Sequence, residues 1–201
     1  MTTPTLEGPR LRLEPLTLAH LPALEQIALG PAAAPIWRYM LTSVKTPADL
    51  RTWAESALKL ESAGTGMPWV TVLKSQSPET PDKVIGSTRY IDLDLRHRTV
   101  EIGHTWLSPE HHGAGINPEA KLLQLTYAFE TLNLRRVSLK THHENLQSQA
   151  AMRKLGAQYE GTFRNHYIMP DGSARHSVWF SITQEDWPQV RTNLLARLQR
   201  A

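Results

Sequence analysis

Three small residues in a row, Gly113-Ala114-Gly115, interrupt the chain between two apolar runs. Before them, TVEIGHTWL (99–107) reads as an apolar strand; after them, residues 118–132 place Leu122, Leu125, Thr126, Phe129 and Leu132 at helical spacing. Residues with almost no side chain build no core. They permit a tight turn and a close approach of backbone to a ligand. The amides that open the next helix have no intrahelical partner and sit at the positive end of its dipole. Strand, Gly-x-Gly and helix start together suit a pyrophosphate. The plainer reading is a turn in which Asn117 caps a helix that opens at Pro118.

Two common phosphate loops are excluded. No Gly-Lys-Ser/Thr follows, so this is not a P-loop. The loop lies mid-chain after hairpin-like strands, with no suitably placed acid at the end of a second strand, which argues against a dinucleotide fold.

The rest of the chain reads as one α+β domain over residues 1–201. LRLEPL (11–16) alternates like a half-buried strand, and a helix runs from the cap Thr17 to a stop at Gly30. GPAAAPIWRYM is too proline-rich for one helix and reads as a loop. Thr46 and Pro47 open a clear helix with Leu50, Trp53, Ala54 and Leu58 on one face. Three strands follow: PWVTVLK, KVIGSTRYIDLDLR with a bulge at Gly86, and TVEIGHTWL. Their short links predict antiparallel hairpins. Beyond the glycine loop come a helix, the strand RRVSLKTHH, the helix ENLQSQAAMRKLG, a hairpin around PDGS and a C-terminal amphipathic helix. This predicts a mixed, mainly antiparallel central sheet flanked by helices.

Composition narrows the function. The 22 Lys+Arg against 19 Asp+Glu leave a net charge of +3, with no block of like charge, so a pI near 9.3 gives little support for nucleic-acid binding. The absence of cysteine removes thiol nucleophiles and thiolate metal sites and fits a reducing, cytoplasmic setting. No apolar run follows a basic start and none approaches a membrane span, so neither a secretory signal nor a membrane partner is expected.

The loop HGAGINPEAK, the EIG at 101–103 and the block ENLQSQAAMRKLGAQYEG resemble, in order and separation, the GNAT superfamily of acyl-CoA-dependent N-acetyltransferases. The last block is similar to Asn-x-x-Ser…Lys-Leu-Gly…Glu-Gly of the RimJ/RimL-like, ribosomal-protein alanine acetyltransferase branch. The resemblance covers residues 11 to about 187. It implies a GNAT-type sheet and an acetyl-CoA co-substrate held along Trp106 and Leu107, on His112, Gly113, Ala114, Gly115, Ile116 and Asn117, and at Asn145 and Ser148. It departs at His112, at Asn117-Pro118, where proline removes one amide, and at Ala157, where the branch carries an aromatic residue.

Acetyl transfer to an amine needs a proton acceptor, a donor to the thioester oxygen and close reactants. The resemblance implies that a backbone amide in residues 101–107 supplies the donor. Met152 stands where the superfamily often has a tyrosine acid and has no proton to give. Ser148 is the branch's proton donor to sulfur; otherwise it is a hydroxyl inside a helix. Asn145 is a pantetheine contact, a helix cap or both. For the base the candidates are Glu101, the first choice, then His104 and Glu160. Strand alternation puts His104 on the face opposite Glu101 unless a bulge intervenes. The pairs His111-His112 and His142-His143 suggest no metal site, because adjacent histidines in a strand or loop point apart and no carboxylate completes a chelate. Trp37, Tyr39, Trp53, Trp69 and Trp106 either line an acceptor pocket or build core.

The function expected is acetyl-CoA-dependent N-acetylation of a primary amine by direct transfer in a ternary complex. The acceptor is a small molecule or a protein N-terminus, entering between the early helices and the final hairpin. Residues 30–47 hold no carboxylate, which favours a singly charged amine over a polyamine. The alternative is a non-catalytic acyl-CoA-binding sensor or interaction module. An RNA-associated role rests on pI alone. A homodimer stays open.

Overall fold

A computed structural model describes every residue except Ala114 and Ala201. Eight strands form one sheet: β1 (Leu6–Glu7), β2 (Leu11–Pro15), β3 (Met67–Leu73), β4 (Lys83–Asp94), β5 (Thr99–Leu107), β6 (Arg136–His142), β7 (Gln158–Ile168) and β8 (Ala174–Thr183). Their order is β1-β2-β3-β4-β5-β6-β8-β7, antiparallel except for β5 and β6. A parallel pair needs a crossover, and the helix α4 (Ile116–Thr126) supplies it. The mixed, mainly antiparallel sheet expected from the sequence is the one found.

Helices cover both faces. On one, α1 (Leu21–Ala28), the single turn α2 (Ala34–Trp37) and α3 (Pro47–Ser62) bury Leu24, Ile36, Leu50, Trp53, Ala54 and Ala57 against Val70, Val72 and Trp106. Ala57 rather than Leu58 completes the buried face of α3, and α2 is a short helix inside the expected loop. The other face carries α4, α5 (Leu146–Leu155) and α6 (Trp187–Leu198). Their Leu125, Leu155, Trp187 and Leu194 pack on Leu11, Leu13, Trp69, Tyr90 and Phe180. The caps follow the sequence: Thr46 and Asp49 form a capping box at α3, Asn145 caps α5, and Gly156 ends α5 in a left-handed turn.

Helix α4 departs from expectation at both ends. It opens two residues early, at Ile116, with left-handed Gly115 as its cap, so Pro118 sits in the third position. Proline is tolerated there because first-turn amides need no intrahelical acceptor. Its last turn, Tyr127–Thr131, widens to a π-helix. The start of α4 is tethered by Glu119, which is buried and accepts from Arg10 N–H at 2.9 Å, Arg10 Nε at 2.9 Å and Leu11 N–H at 3.2 Å. One carboxylate thus ties the glycine-loop helix to β2.

Further along α4, Lys121 is 5% exposed. Its Nζ donates to Thr105 Oγ1 at 2.8 Å, Thr88 Oγ1 at 3.3 Å and Gln124 Oε1 at 3.0 Å. All three acceptors are neutral, so burial lowers its pKa to about 7. The unfolded chain keeps that proton to a much higher pH. Between the two values it binds more protons than the folded chain, so stability rises with pH. Lys121→Met should remove this contribution. Urea unfolding near pH 7 and near pH 9 should show the wild type gaining on the order of 1 kcal/mol relative to the variant. Parallel changes in the two proteins would mean that Lys121 stays charged when folded.

Candidate functional site

The parallel pairing of β5 with β6 stops after three positions, Thr99–Arg136, Val100–Val137 and Glu101–Ser138. Beyond them β5 stays with β4 as far as Leu107, and β6 stays with β8 as far as His142. The sheet therefore forks, and one edge of β5 has no strand beside it from Ile102 onward. Two bulges bend the strands here. In β5, His104 and Thr105 stand opposite Thr88 alone, and His104 adopts φ +47°. In β4, Asp92 is the extra residue at φ +53°. A non-glycine residue at positive φ costs of order 1–3 kcal/mol and marks a place where something else holds it. The bulge breaks the alternation that would otherwise fix His104 on the face opposite Glu101.

Charge collects where the strands part. Glu101 is 4% exposed, and its Oε2 accepts from Lys140 Nζ at 2.7 Å. Burial raises the Glu101 pKa, and the charge of Lys140 pulls it partly back. Lys140 also lies over the rings of Trp179 (4.9 Å) and Tyr167 (5.4 Å). Arg175, on β8, is buried; it donates from Nη1 to the Tyr39 carbonyl at 3.0 Å and from Nε to Ser177 Oγ at 3.2 Å. The bond to Tyr39 holds the loop after α2 over the fork, with the Tyr39 ring packed on His142 at 5.2 Å. Arg89, opposite Gly103 in the ladder, stands over the Trp53 ring at 4.7 Å. His104 feels Arg89, Lys140 and Arg175 together. Its burial and their charge bring its pKa down to about 3, so the ring is neutral, and its buried Nδ1 has no partner among the described residues.

The glycine loop lies at the far end of β5. Gly113 and Gly115 hold φ +81° and +75°, conformations that favour glycine. A Cβ on Gly113 would meet nothing within 4 Å, so the turn opens into free space. His112 Nε2 lies 3.3 Å from the Leu107 carbonyl and closes the loop onto the strand end. The first amides of α4, Ile116 and Asn117, have no acceptor within the helix. Asn117 Oδ1 is buried without a partner among the described residues. Ala114, also expected in this cradle, lies outside the described residues. A bare edge on β5, an open turn and a helix start in sequence fit an elongated ligand with amides in its arm and phosphate at its end.

Other expected residues fall variously. Trp106 turns its side chain into the core between Trp37 (5.8 Å) and Trp53 (5.7 Å), so only its backbone borders the strand edge. Trp69 is core as well, 0% exposed. Asn145 Oδ1 accepts from the Ser148 N–H at 3.0 Å and caps α5, and Ser148 is half-buried on the first turn. Glu160 is not brought to the fork. It is exposed and bound to Arg136 (2.7 Å) and Ser181, beside the closed, paired end of β5 and β6. His142 and His143 do not point apart; their rings stack at 4.5 Å, because β6 ends at His142 and the chain turns. Among the described residues no three His, Asp or Glu side chains gather as a metal site. Sequence reasoning passed over Arg89, Lys140 and Arg175. The available signal was a cation amid small and apolar residues in each of three strands.

The Acetyltransferase (GNAT) domain model matches residues 10–158. The "Putative ribosomal N-acetyltransferase YdaF" of Bacillus subtilis (strain 168) is 33% identical over 96 residues, 48% of this chain and 51% of that protein. The chain thus spans about half the length of the curated relatives it matches. Among solved structures, one described as a putative acetyltransferase from T. thermophilus is 34% identical, covers 98% of this chain and 99% of its own, and superposes with a TM-score of 0.84. Mycobacterium smegmatis RimJ in complex with CoA-disulfide shares the fold at 21% identity, with a TM-score of 0.80 over 98% of this chain and 94% of its own.

The ion pair at the fork makes a testable statement about stability. Lys140→Met takes away the charge that favours ionised Glu101, so folded Glu101 should keep its proton to a pH well above that of the unfolded chain. In that window the folded state binds more protons, and stability falls as pH rises. The stability lost in the variant, measured by urea unfolding, should be larger near pH 8 than near pH 5 by on the order of 1–3 kcal/mol. An equal loss at both would uncouple the two side chains.

Proposed function

The chain belongs to the Acetyltransferase (GNAT) domain family, and from that premise we propose that it transfers the acetyl group of acetyl-CoA to a primary amine, directly, in a ternary complex formed at the fork. The observation that carries this reading is the unpaired edge of β5 running from Glu101 toward an open Gly-x-Gly turn. The edge offers amides and carbonyls to a pantetheine arm, and the turn with Ile116 and Asn117 offers N–H groups to a pyrophosphate. Acetyl-CoA supplies an acyl group on a thiol with a pKa near ~8.5, which leaves readily.

The chain's own groups then position and move protons. A backbone N–H on the free edge beside the His104 bulge faces the thioester oxygen and stabilises the charge that grows there. Glu101, raised by burial, takes the proton that the amine loses, directly or through water. The new bond joins the amine nitrogen to the carbonyl carbon, the carbon–sulfur bond breaks, and the sulfur takes up a proton relayed by Ser148. His104 is too weak a base for this role at neutral pH, and Glu160 is held elsewhere. A protein N-terminus is a suitable acceptor. The name of the Bacillus subtilis relative and the likeness to RimJ support the RimJ/RimL-like branch.

Amine-dependent release of free CoA thiol tests the reading. Turnover should require an amine and should yield an acetylated product by mass. In Gly113→Val the side chain enters the open turn, and CoA affinity by calorimetry should fall tenfold or more, about 1.4 kcal/mol. CoA bound with full affinity by a folded variant would move the cradle elsewhere. CoA binding without any amine-dependent turnover would instead favour the acyl-CoA sensor. Ser148→Ala should cut kcat at least about tenfold and leave the KM for acetyl-CoA nearly unchanged, since the hydroxyl acts on the departing sulfur. Unchanged kcat would reduce Ser148 to a helix surface residue.

A further inference from the structure

The acceptor side of the fork carries more positive charge than it uses. Three cations, Arg89, Lys140 and Arg175, come from three different strands, and the first and last are 2% and 5% exposed. Lys140 is matched by Glu101 at 2.7 Å. Arg175 donates to Tyr39 and Ser177, both neutral acceptors, and shares the charge of Glu101 with Lys140. Arg89 has less still: its Nε and Nη2 are buried and have no hydrogen-bond partner among the described residues. A guanidinium keeps its charge at this site, since burial lowers its pKa only to about 10. An uncompensated buried charge is costly, and a ring beneath it offsets little of that cost.

Position gives this charge a use. Arg89 is paired with Gly103 of β5, the strand whose other edge lines the fork. Trp53 backs it from α3 at 4.7 Å. Arg175 stands across the fork under the loop that carries Tyr39. The charges of Arg89 and Arg175 both reach His104 on the bulged strand, and a guanidinium binds a carboxylate with paired N–H groups. We infer that the acceptor carries a carboxylate close to its reacting amine, and that Arg89, with Arg175 opposite, receives it and sets acceptor choice. The inference rests on the acetyl-transfer reading and deepens it. The shared chemistry is an amine with a neighbouring carboxylate, either a free amino acid or a peptide that begins with Asp or Glu. A polyamine would bring further positive charge against three cations.

The test is a panel at fixed acetyl-CoA, scored by kcat/KM. It contains glutamate, its fully amidated counterpart, peptides that differ only in a first residue of Glu, Gln or Lys, and spermidine. The carboxylate-bearing amines should exceed their matched amides by about tenfold or more. Glutamate ahead of the Glu-first peptide would identify the source as a free amino acid, and the reverse a peptide N-terminus. Arg89→Met should bring that ratio close to one while leaving the melting temperature equal or higher, because it removes an unpaired buried cation. Arg175→Lys should lower the ratio as a second, independent variant. A ratio near one in the wild type, a preference for spermidine, or an unchanged ratio in a folded Arg89→Met would overturn the inference and leave acetyl transfer intact. No turnover on any amine, with acetyl-CoA still bound, would overturn both.

Discussion

Two parallel strands that pair for three residues and then separate must leave backbone donors and acceptors without partners. That is an expensive condition for a sheet, and most of this molecule is arranged to hold it open. Strand β5 is pinned to β4 by an antiparallel ladder and β6 to β8 by another, so neither can swing across to close the gap. The bulge at His104 bends β5 just past the last pair, at Glu101. Helix α4 crosses from one arm to the other, and buried Glu119 fastens its start to β2. With the arms fixed from outside, the edge stays unpaired.

The electrostatics follow from the same geometry. At the crotch Glu101 and Lys140 come from the two arms and meet at 2.7 Å, so their pair joins the strands where the ladder stops. Burial of such a pair is weak evidence for added stability, since desolvation offsets much of the attraction. Its value here is positional. It keeps an ionisable carboxylate where the two strands part. On the opposite face Lys121 does the reverse: with only neutral acceptors around it, it sheds its proton near pH 7 and bonds Thr88 and Thr105 of the two bulged strands from beneath. One lysine holds the fork by charge and the other by hydrogen bonds.

Much of the scaffold was legible in the residues. Apolar runs between turn residues placed every strand from 11 onward, and helical spacing and caps the longer helices, with Thr46, Asn145 and Gly156 marking ends, because such signals act within a few residues. The glycine loop was legible for the same local reason. Smaller features were not. The two-residue β1 has too few residues to show a period, and α2 is one short turn in a proline-rich stretch. The start of α4 was set by left-handed Gly115 rather than by Asn117.

The candidate site divides along the same line. The sequence by itself determined the order of elements, the bare turn before a helix, and the presence of Glu101 in the strand leading to it, since each depends on residues close in the chain. Only the tertiary structure decided that pairing stops after Glu101, that Glu160 is occupied by Arg136 and Ser181 outside the fork, and that Arg89, Lys140 and Arg175 gather around His104. Those three cations lie tens of residues apart on strands whose neighbours are fixed by sheet order. A charge in one strand carries no local mark of the charge it will face. Its meaning is set by what the fold brings beside it and by how much water the packing removes.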